Sequence, residues 1–345
     1  MSSNTTSVDP LLVADPNRLA LFPIKHQQIY DLYLKAIQSF WYSGELHFAE
    51  DVKDWQEKLT AAEREFLSMV FAFFATAENS VIDNLALRFL REVQLKEAQH
   101  FYCSQLFMES IHSETYSRII DVLLGAFATD PIAVSTQKAK LFNAVTTVPS
   151  IRAKAEYAQK WIDDATRPLG ERLLAFGCVE GLGFISSFCA IFWLKKRGLL
   201  PGVCQANDLI SRDETLHYVH AIELYQLVMD KPSEVRIREI ITEYTALELA
   251  FVDEALQVAV IGMNATDMKE YVKFVADGIF RDLGLPPVYR AKNPFGFMQM
   301  QSLEAKTDFF VKPVTQYHKP LSGGVGSGPP QVTFSTDASV FDDAY

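Results

Sequence analysis

The chain has 345 residues, a formal net charge of −11 and a pI near 5.2, and no basic tract to neutralise phosphates, which argues against a nucleic-acid partner. Its 49% hydrophobic content is that of a globular protein, and its length suits one large domain or two ordinary ones. Cys103, Cys178, Cys189 and Cys204 show no C-x-x-C spacing and read as reduced, mostly buried thiols of an intracellular protein.

Residues 1–20 read as a loose polar arm. They hold no apolar signal core and no Arg-rich amphipathic stretch, and Ser2 excludes myristoylation. From about 24 to 300 the pattern is helical throughout. Residues 26–41 are amphipathic. Residues 60–94 open on a capping-box pattern, Thr60 followed by Glu63, and are long enough to suggest a kink or break near Asn79. A further long helix fits 96–127, and others fit 151–166, 170–196, 206–230, 233–262 and 266–283, with Pro201 and Gly202 marking a turn. There is no alternating strand pattern and no internal repeat, so the expected class is all-α. Residues 319–345 are rich in Gly, Ser and Pro and end acidic and aromatic. The piece GGVGSG follows no strand and opens no helix, so it reads as a linker rather than a phosphate loop.

The run after Arg172, residues 173–194, poses a chemical question. It is apolar enough to cross a membrane, yet carries Glu180 in its middle. A helix hydrophobic all round is also the core of a large soluble bundle. In either setting an ionised carboxylate must protonate or find a cation, and a metal ion is one such cation.

The rest of the chain supplies company for it. ESIH gives Glu109 and His112, and ETLH gives Glu214 and His217. At i, i+3 a carboxylate and an imidazole share one helical face. A third copy, Glu97 and His100, stands twelve residues before Glu109, about 18 Å along the axis, and reads as a surface pair. Glu78 is the only charge between Phe66 and Ile82, and taken alone could be a helix-end residue reaching solvent. Carboxylate-bridged di-metal bundles use E-x-x-H from each of two helices and one Glu from each of two others. Glu78, Glu109, His112, Glu180, Glu214 and His217 complete that set. Four carboxylates also balance two divalent metals. Tyr116 lies one turn after His112 on the same face, with Phe184, Phe188 and Ile210 as candidates to wall its phenol in apolar groups.

FPIKHQQIYDLYLKAIQSFW, MESIHSETYS, FGCVEGLGFISSFCAIFWLKKRGLLPG, LISRDETLH and FVADGIFRDLG with NPFGFM together resemble the small subunit of class I ribonucleotide reductase, close to the eukaryotic kind, from about residue 15 to the end. The resemblance implies a ferritin-like helical bundle over 21–312, between an N-terminal arm (1–20) and a C-terminal tail (313–345). It implies a cytoplasmic homodimer with a di-iron centre, manganese or a mixed pair being the alternatives. That centre reacts with dioxygen and oxidises a tyrosine, and the radical passes to a separate large subunit that reduces ribonucleoside diphosphates. The six residues above match the family's metal ligands and Tyr116 its radical tyrosine. Asp213 matches the carboxylate that bonds a ligand histidine, expected to be His112. Tyr317 matches the tail tyrosine that relays the radical, and the last residues match the segment that docks on the large subunit.

Two positions depart from the pattern. Most of the family has aspartate at Glu78, one methylene shorter. The resemblance also places a tryptophan of the radical path at Tyr30. A non-catalytic paralogue that only scaffolds a heterodimer is the alternative from another class, disfavoured by the complete ligand set and Tyr116. A ferritin-like oxidase of another substrate is disfavoured by the tail.

Overall fold

The computed structural model describes residues 8–125, 131–143, 147–164, 166–254, 256 and 258–298. Eleven helices of nine residues or more are described: α1 (Gln27–Gln38), α2 (Ala49–Glu57), α3 (Ala61–Asn84), α4 (Lys96–Gly125), α5 (Pro131–Phe142), α6 (Pro149–Asp163), α7 (Leu169–Leu182), α8 (Ile185–Lys196), α9 (Pro201–Leu227), α10 (Glu234–Glu254) and α11 (Ala265–Asp282). No strand occurs among the described residues.

The capping box of α3 forms as its sequence predicts. Thr60 N donates to Glu63 Oε2 at 2.8 Å, and Glu63 N donates to Thr60 Oγ1 at 3.2 Å. The expected break near Asn79 is absent: α3 runs on to Asn84, and Asn79 Nδ2 bonds the Ala75 carbonyl within the helix at 3.0 Å. The helix instead loosens later, into a π turn at Leu85–Phe89.

The segment expected as one helix over 170–196 is two, α7 and α8, parted at Gly183 and Phe184. Gly183 packs so closely that a Cβ there would lie 2.3 Å from Tyr244 Oη. This helix pair and residues 61–92 are both long and apolar enough to span a membrane, but most of each lies inside the bundle. Burial against other helices accounts for their apolarity.

α9 starts five residues earlier than expected, with Pro201 in its first turn. Two buried carboxylates of α2 hold that start. Asp51 accepts from Gly202 N and Val203 N at 2.9 and 2.7 Å, and Asp54 accepts from Leu200 N at 2.9 Å. Leu200 has φ of +52°, a conformation that costs a branched side chain and is maintained by these bonds. A Cβ on Gly202 would fall 2.3 Å from the His47 carbonyl, so the approach of α2 requires glycine there.

α3 packs along α4, α7 along α9, and α4 meets α9. α1 lies across α4 and α9, while α6 and α10 close the far side of α7. The core is therefore a four-helix bundle whose inner faces carry the residues picked out above.

Two expectations about the N-terminal part need correction. Glu97 is not on the surface but fully buried. Its carboxylate takes Arg18 Nη1 and Nη2 at 2.8 and 2.7 Å and the amide of Lys25 at 2.7 Å. His100 turns away from it, with Nδ1 2.9 Å from the Lys96 carbonyl. The arm, correspondingly, is tied down from Asp9 onward: Gln94 N donates to the Leu11 carbonyl at 2.7 Å, and Met229 N to Asp9 Oδ2 at 2.9 Å. Residues 1–7 and the whole tail from 299, Tyr317 included, lie outside the described residues.

Candidate metal centre

Each of the four core helices delivers its share by periodicity alone. On α4, Glu109 and His112 face inward with Tyr116 one turn on. α9 does the same with Glu214 and His217. α3 contributes Glu78 and α7 contributes Glu180. All six lie at 3% exposure or less.

Their ligand atoms fall into two groups, each within 4.8 Å: Glu78, Glu109, His112 and Glu214, and Glu109, Glu180, Glu214 and His217. The two groups share Glu109 and Glu214, the glutamates of the two E-x-x-H motifs. His112 Nδ1 stands 3.1 Å from Glu109 Oε2 and 3.0 Å from Glu214 Oε1. His217 Nδ1 stands 2.9 Å from Glu109 Oε1 and 3.4 Å from Glu214 Oε2. Each group thus offers three carboxylates and one imidazole, and two of the carboxylates are common to both.

The electrostatics fit a bound cation pair. Both oxygens of Glu78 and one of Glu180 are buried with no hydrogen-bond partner. Burial, then the charges of Glu214 and Glu109, push the Glu78 and Glu180 carboxyls well above the usual range. Burial alone would lower His217, but Glu109 and Glu214 raise it to about 9. Burial likewise opposes protonation of His112, yet its bonds to Asp213, Glu109 and Glu214 raise it well above an ordinary imidazole. Protons on these groups offset charge that two divalent metals would neutralise directly. The donor set, imidazole nitrogen with carboxylate oxygen, suits iron or manganese.

Supporting contacts orient the ligands. Gln105 Nε2 donates to Glu180 Oε1 at 3.0 Å. Asp213 Oδ2 lies 3.2 Å from His112 Nε2, as expected from the resemblance, and also accepts Trp41 Nε1 at 2.7 Å. Arg212 Nη2 fixes the other Asp213 oxygen at 3.1 Å and the Ser39 carbonyl at 2.7 Å. The Trp41 ring stacks beside His112, centroids 6.0 Å apart. The amphipathic stretch read over 26–41 overruns the helix: α1 ends at Gln38, and Trp41 follows it in an irregular segment. Tyr30 sits elsewhere on α1, against Phe22 and Tyr33 at 5.8 and 6.1 Å. The indole in touch with Asp213 is therefore Trp41.

Tyr116 is buried and its hydroxyl has no hydrogen-bond partner. Burial, then Glu78 and Glu214, raise its phenol well above the usual value. Phe74 of α3 stacks on it, and Phe184 and Phe188 pack on Phe74 at 5.8 and 5.0 Å. Ile210 is buried in the same core. The expected apolar wall exists, but Phe74 is the ring that touches the tyrosine.

Residues 18–294 match the model of the ribonucleotide reductase small chain. The chain belongs to the ribonucleotide reductase small-chain family. It is 46% identical over 330 residues to the human ribonucleoside-diphosphate reductase subunit M2, covering 96% of this chain and 82% of that one. It is also 46% identical over 312 residues to the ribonucleoside-diphosphate reductase small chain of vaccinia virus strain Ankara, covering 90% and 95%. Among solved structures it is similar to the Rnr4 homodimer of Saccharomyces cerevisiae, with TM-score 0.77, 32% identity, and 88% and 93% of the two chains covered. The small chain is thus the ferritin-like subunit of ribonucleoside-diphosphate reductase, with the carboxylate cluster of a di-metal centre in its core.

Proposed function

We propose that this small chain generates and stores a radical on Tyr116 for ribonucleotide reduction by a separate large subunit. The observation that carries the reading is the pair of metal-sized ligand groups sharing Glu109 and Glu214, with a dry phenol one turn away. Glu78 and His112 complete one site, and Glu180 and His217 the other. Two bound irons, or manganese in their place, would supply the oxidising power that reaction with dioxygen releases.

The residues divide the remaining work. Tyr116 gives up an electron and its phenolic proton, and Glu78 or Glu214, the carboxylates acting on it, can take that proton. The longer Glu78 carries a carboxylate where most relatives carry aspartate, so charge and donor type are kept. Phe74, Phe184 and Phe188 exclude water from the oxidised ring. His112, Asp213 and Trp41 form one hydrogen-bonded file from the centre toward α1. It supports Trp41, rather than Tyr30, as the aromatic of radical transfer. Tyr317 and the tail beyond 313 would complete the relay and dock on the large subunit, a tethered aromatic and acidic plug.

The yeast relative of known structure is a homodimer, and Ile37 of α1, Phe40 just beyond it and Phe107 of α4 are exposed apolar side chains suited to meeting a second copy. Phe40 and Phe107 stack there at 5.9 Å. Free thiols, three of them buried, fit a cytoplasmic setting. The complete ligand set and Tyr116 speak against a scaffold-only role.

The test is reconstitution. Iron-loaded small chain mixed with its large subunit should reduce a ribonucleoside diphosphate, and neither alone should. Radical formation without any turnover in the mixture would contradict the proposed role.

A further inference from the structure

We propose that Lys154, Glu248 and Ser186 form a buried clamp that sets the position of Glu180 and of the aromatic wall beside Tyr116. The inference rests on the di-metal reading above.

The clamp sits at the break between α7 and α8. Lys154 of α6 donates to the Gly183 carbonyl at 2.5 Å and to Glu248 Oε2 of α10 at 2.5 Å. The other oxygen of Glu248 accepts Ser186 Oγ, in the first turn of α8. One ion pair therefore grips the first residue of the break and the first turn after it. All three side chains lie at 5% exposure or less. The ammonium also stands over the rings of Phe73 and Phe251, at 4.2 and 4.3 Å.

A pair this deep is a poor source of stability. Well-packed apolar side chains of similar volume would serve as well or better. What such a pair supplies is direction, because its hydrogen bonds fail if the backbone shifts by an ångström. The directed element is close to the chemistry on both sides. Glu180 lies three residues before Gly183, in the last turn of α7. Phe184 lies one residue after it and packs on Phe74, which covers Tyr116. Gly183 leaves room for Tyr244 Oη, so α10 approaches the break with two residues, Tyr244 and Glu248. Without the clamp the break can move along the helix, and Glu180 turns with it. Lys154 and Glu248 are accordingly positioning residues, acting through Glu180.

Co(II) is a suitable probe, since it fills nitrogen–oxygen sites and its visible absorption reports their geometry. Titration of the wild-type apoprotein should show two Co(II) per chain, one for each ligand group. The Lys154→Met/Glu248→Gln double variant removes both charges together and leaves neither unpaired. It should keep its helical circular dichroism, bind one Co(II) as the wild type does, and bind the other about tenfold or more weakly with an altered spectrum. Wild-type affinity and spectrum for both ions in the folded double variant would overturn the clamp. Should that variant not fold, Ser186→Ala removes a single hydrogen bond: a weakened and spectrally altered second Co(II) supports the clamp, and an unchanged one overturns it. A wild-type chain that takes up no Co(II) would overturn the di-metal reading itself, and the clamp with it.

Discussion

Phe74 and Tyr116 lie face to face, with ring centroids 4.3 Å apart and planes 1° from parallel. The stack joins α3 to α4 directly beside the ligand cluster, and makes the phenol's surroundings a property of the helix packing.

Replacing Phe74 by leucine should therefore shorten the life of a Tyr116 radical while leaving the metal content unchanged. The smaller side chain opens space for water near the ring and costs about 1–2 kcal/mol of stability. Decay of the radical signal, followed by EPR after reconstitution, checks this. A radical as long-lived as in the wild type would show that the stack does not protect the ring.

Trp41 and Tyr30 make opposite predictions. Trp41→Phe removes the donor to Asp213 Oδ2 and keeps most of the packing. It should form metal centre and radical normally but fail in turnover with the large subunit. Tyr30→Phe should turn over at close to the wild-type rate. Parallel EPR and reductase assays of the two variants decide the matter, and a silent Tyr30→Phe mixture would return the path to Tyr30.

Much of this site was legible because helical spacing is a local property. Glu109, His112 and Tyr116 share a face by arithmetic alone, as do Glu214 and His217, and the lone charges Glu78 and Glu180 stand out against apolar runs. What was not legible depends on distant partners. Glu97 looks like a surface residue until Arg18, 79 positions earlier, is folded onto it. Trp41 lies outside any helix, and only the approach of α9 brings Asp213 to it. The break at Gly183 is fixed by Lys154, from another helix, so the run 173–194 reads as continuous. Phe74 is one of several phenylalanines in α3, and packing alone selects it.

The buried Arg18–Glu97 pair predicts an acid sensitivity. Burial would raise the Glu97 carboxyl, but Arg18 and the amides of Lys25 and His26 outweigh it and hold it at about 2. A carboxyl depressed on folding contributes stability that is full above its unfolded pKa, near 4.3, and is lost as pH falls toward 2. Arg18→Met strands the carboxylate and should cost about 3–5 kcal/mol near neutral pH. Because Glu97 is free to take a proton in that variant, its stability should fall less steeply between pH 5 and pH 3 than that of the wild type, by chemical denaturation at each pH. Parallel curves would assign the acid sensitivity elsewhere.

The apolar face of Phe40 and Phe107 predicts the oligomer. The double variant Phe40→Glu/Phe107→Glu should sediment as a monomer, with helical content retained, where the wild type sediments as a dimer. A dimer in both would place the interface on another surface.

The most direct measurement is anaerobic loading of the apoprotein with Fe(II), followed by dioxygen, with bound metal counted and the EPR spectrum recorded. Two metal ions per chain and a tyrosyl signal that vanishes in Tyr116→Phe are the predicted result. A chain that binds no metal under iron, manganese or mixed loading would contradict the account of Tyr116 as a radical generator.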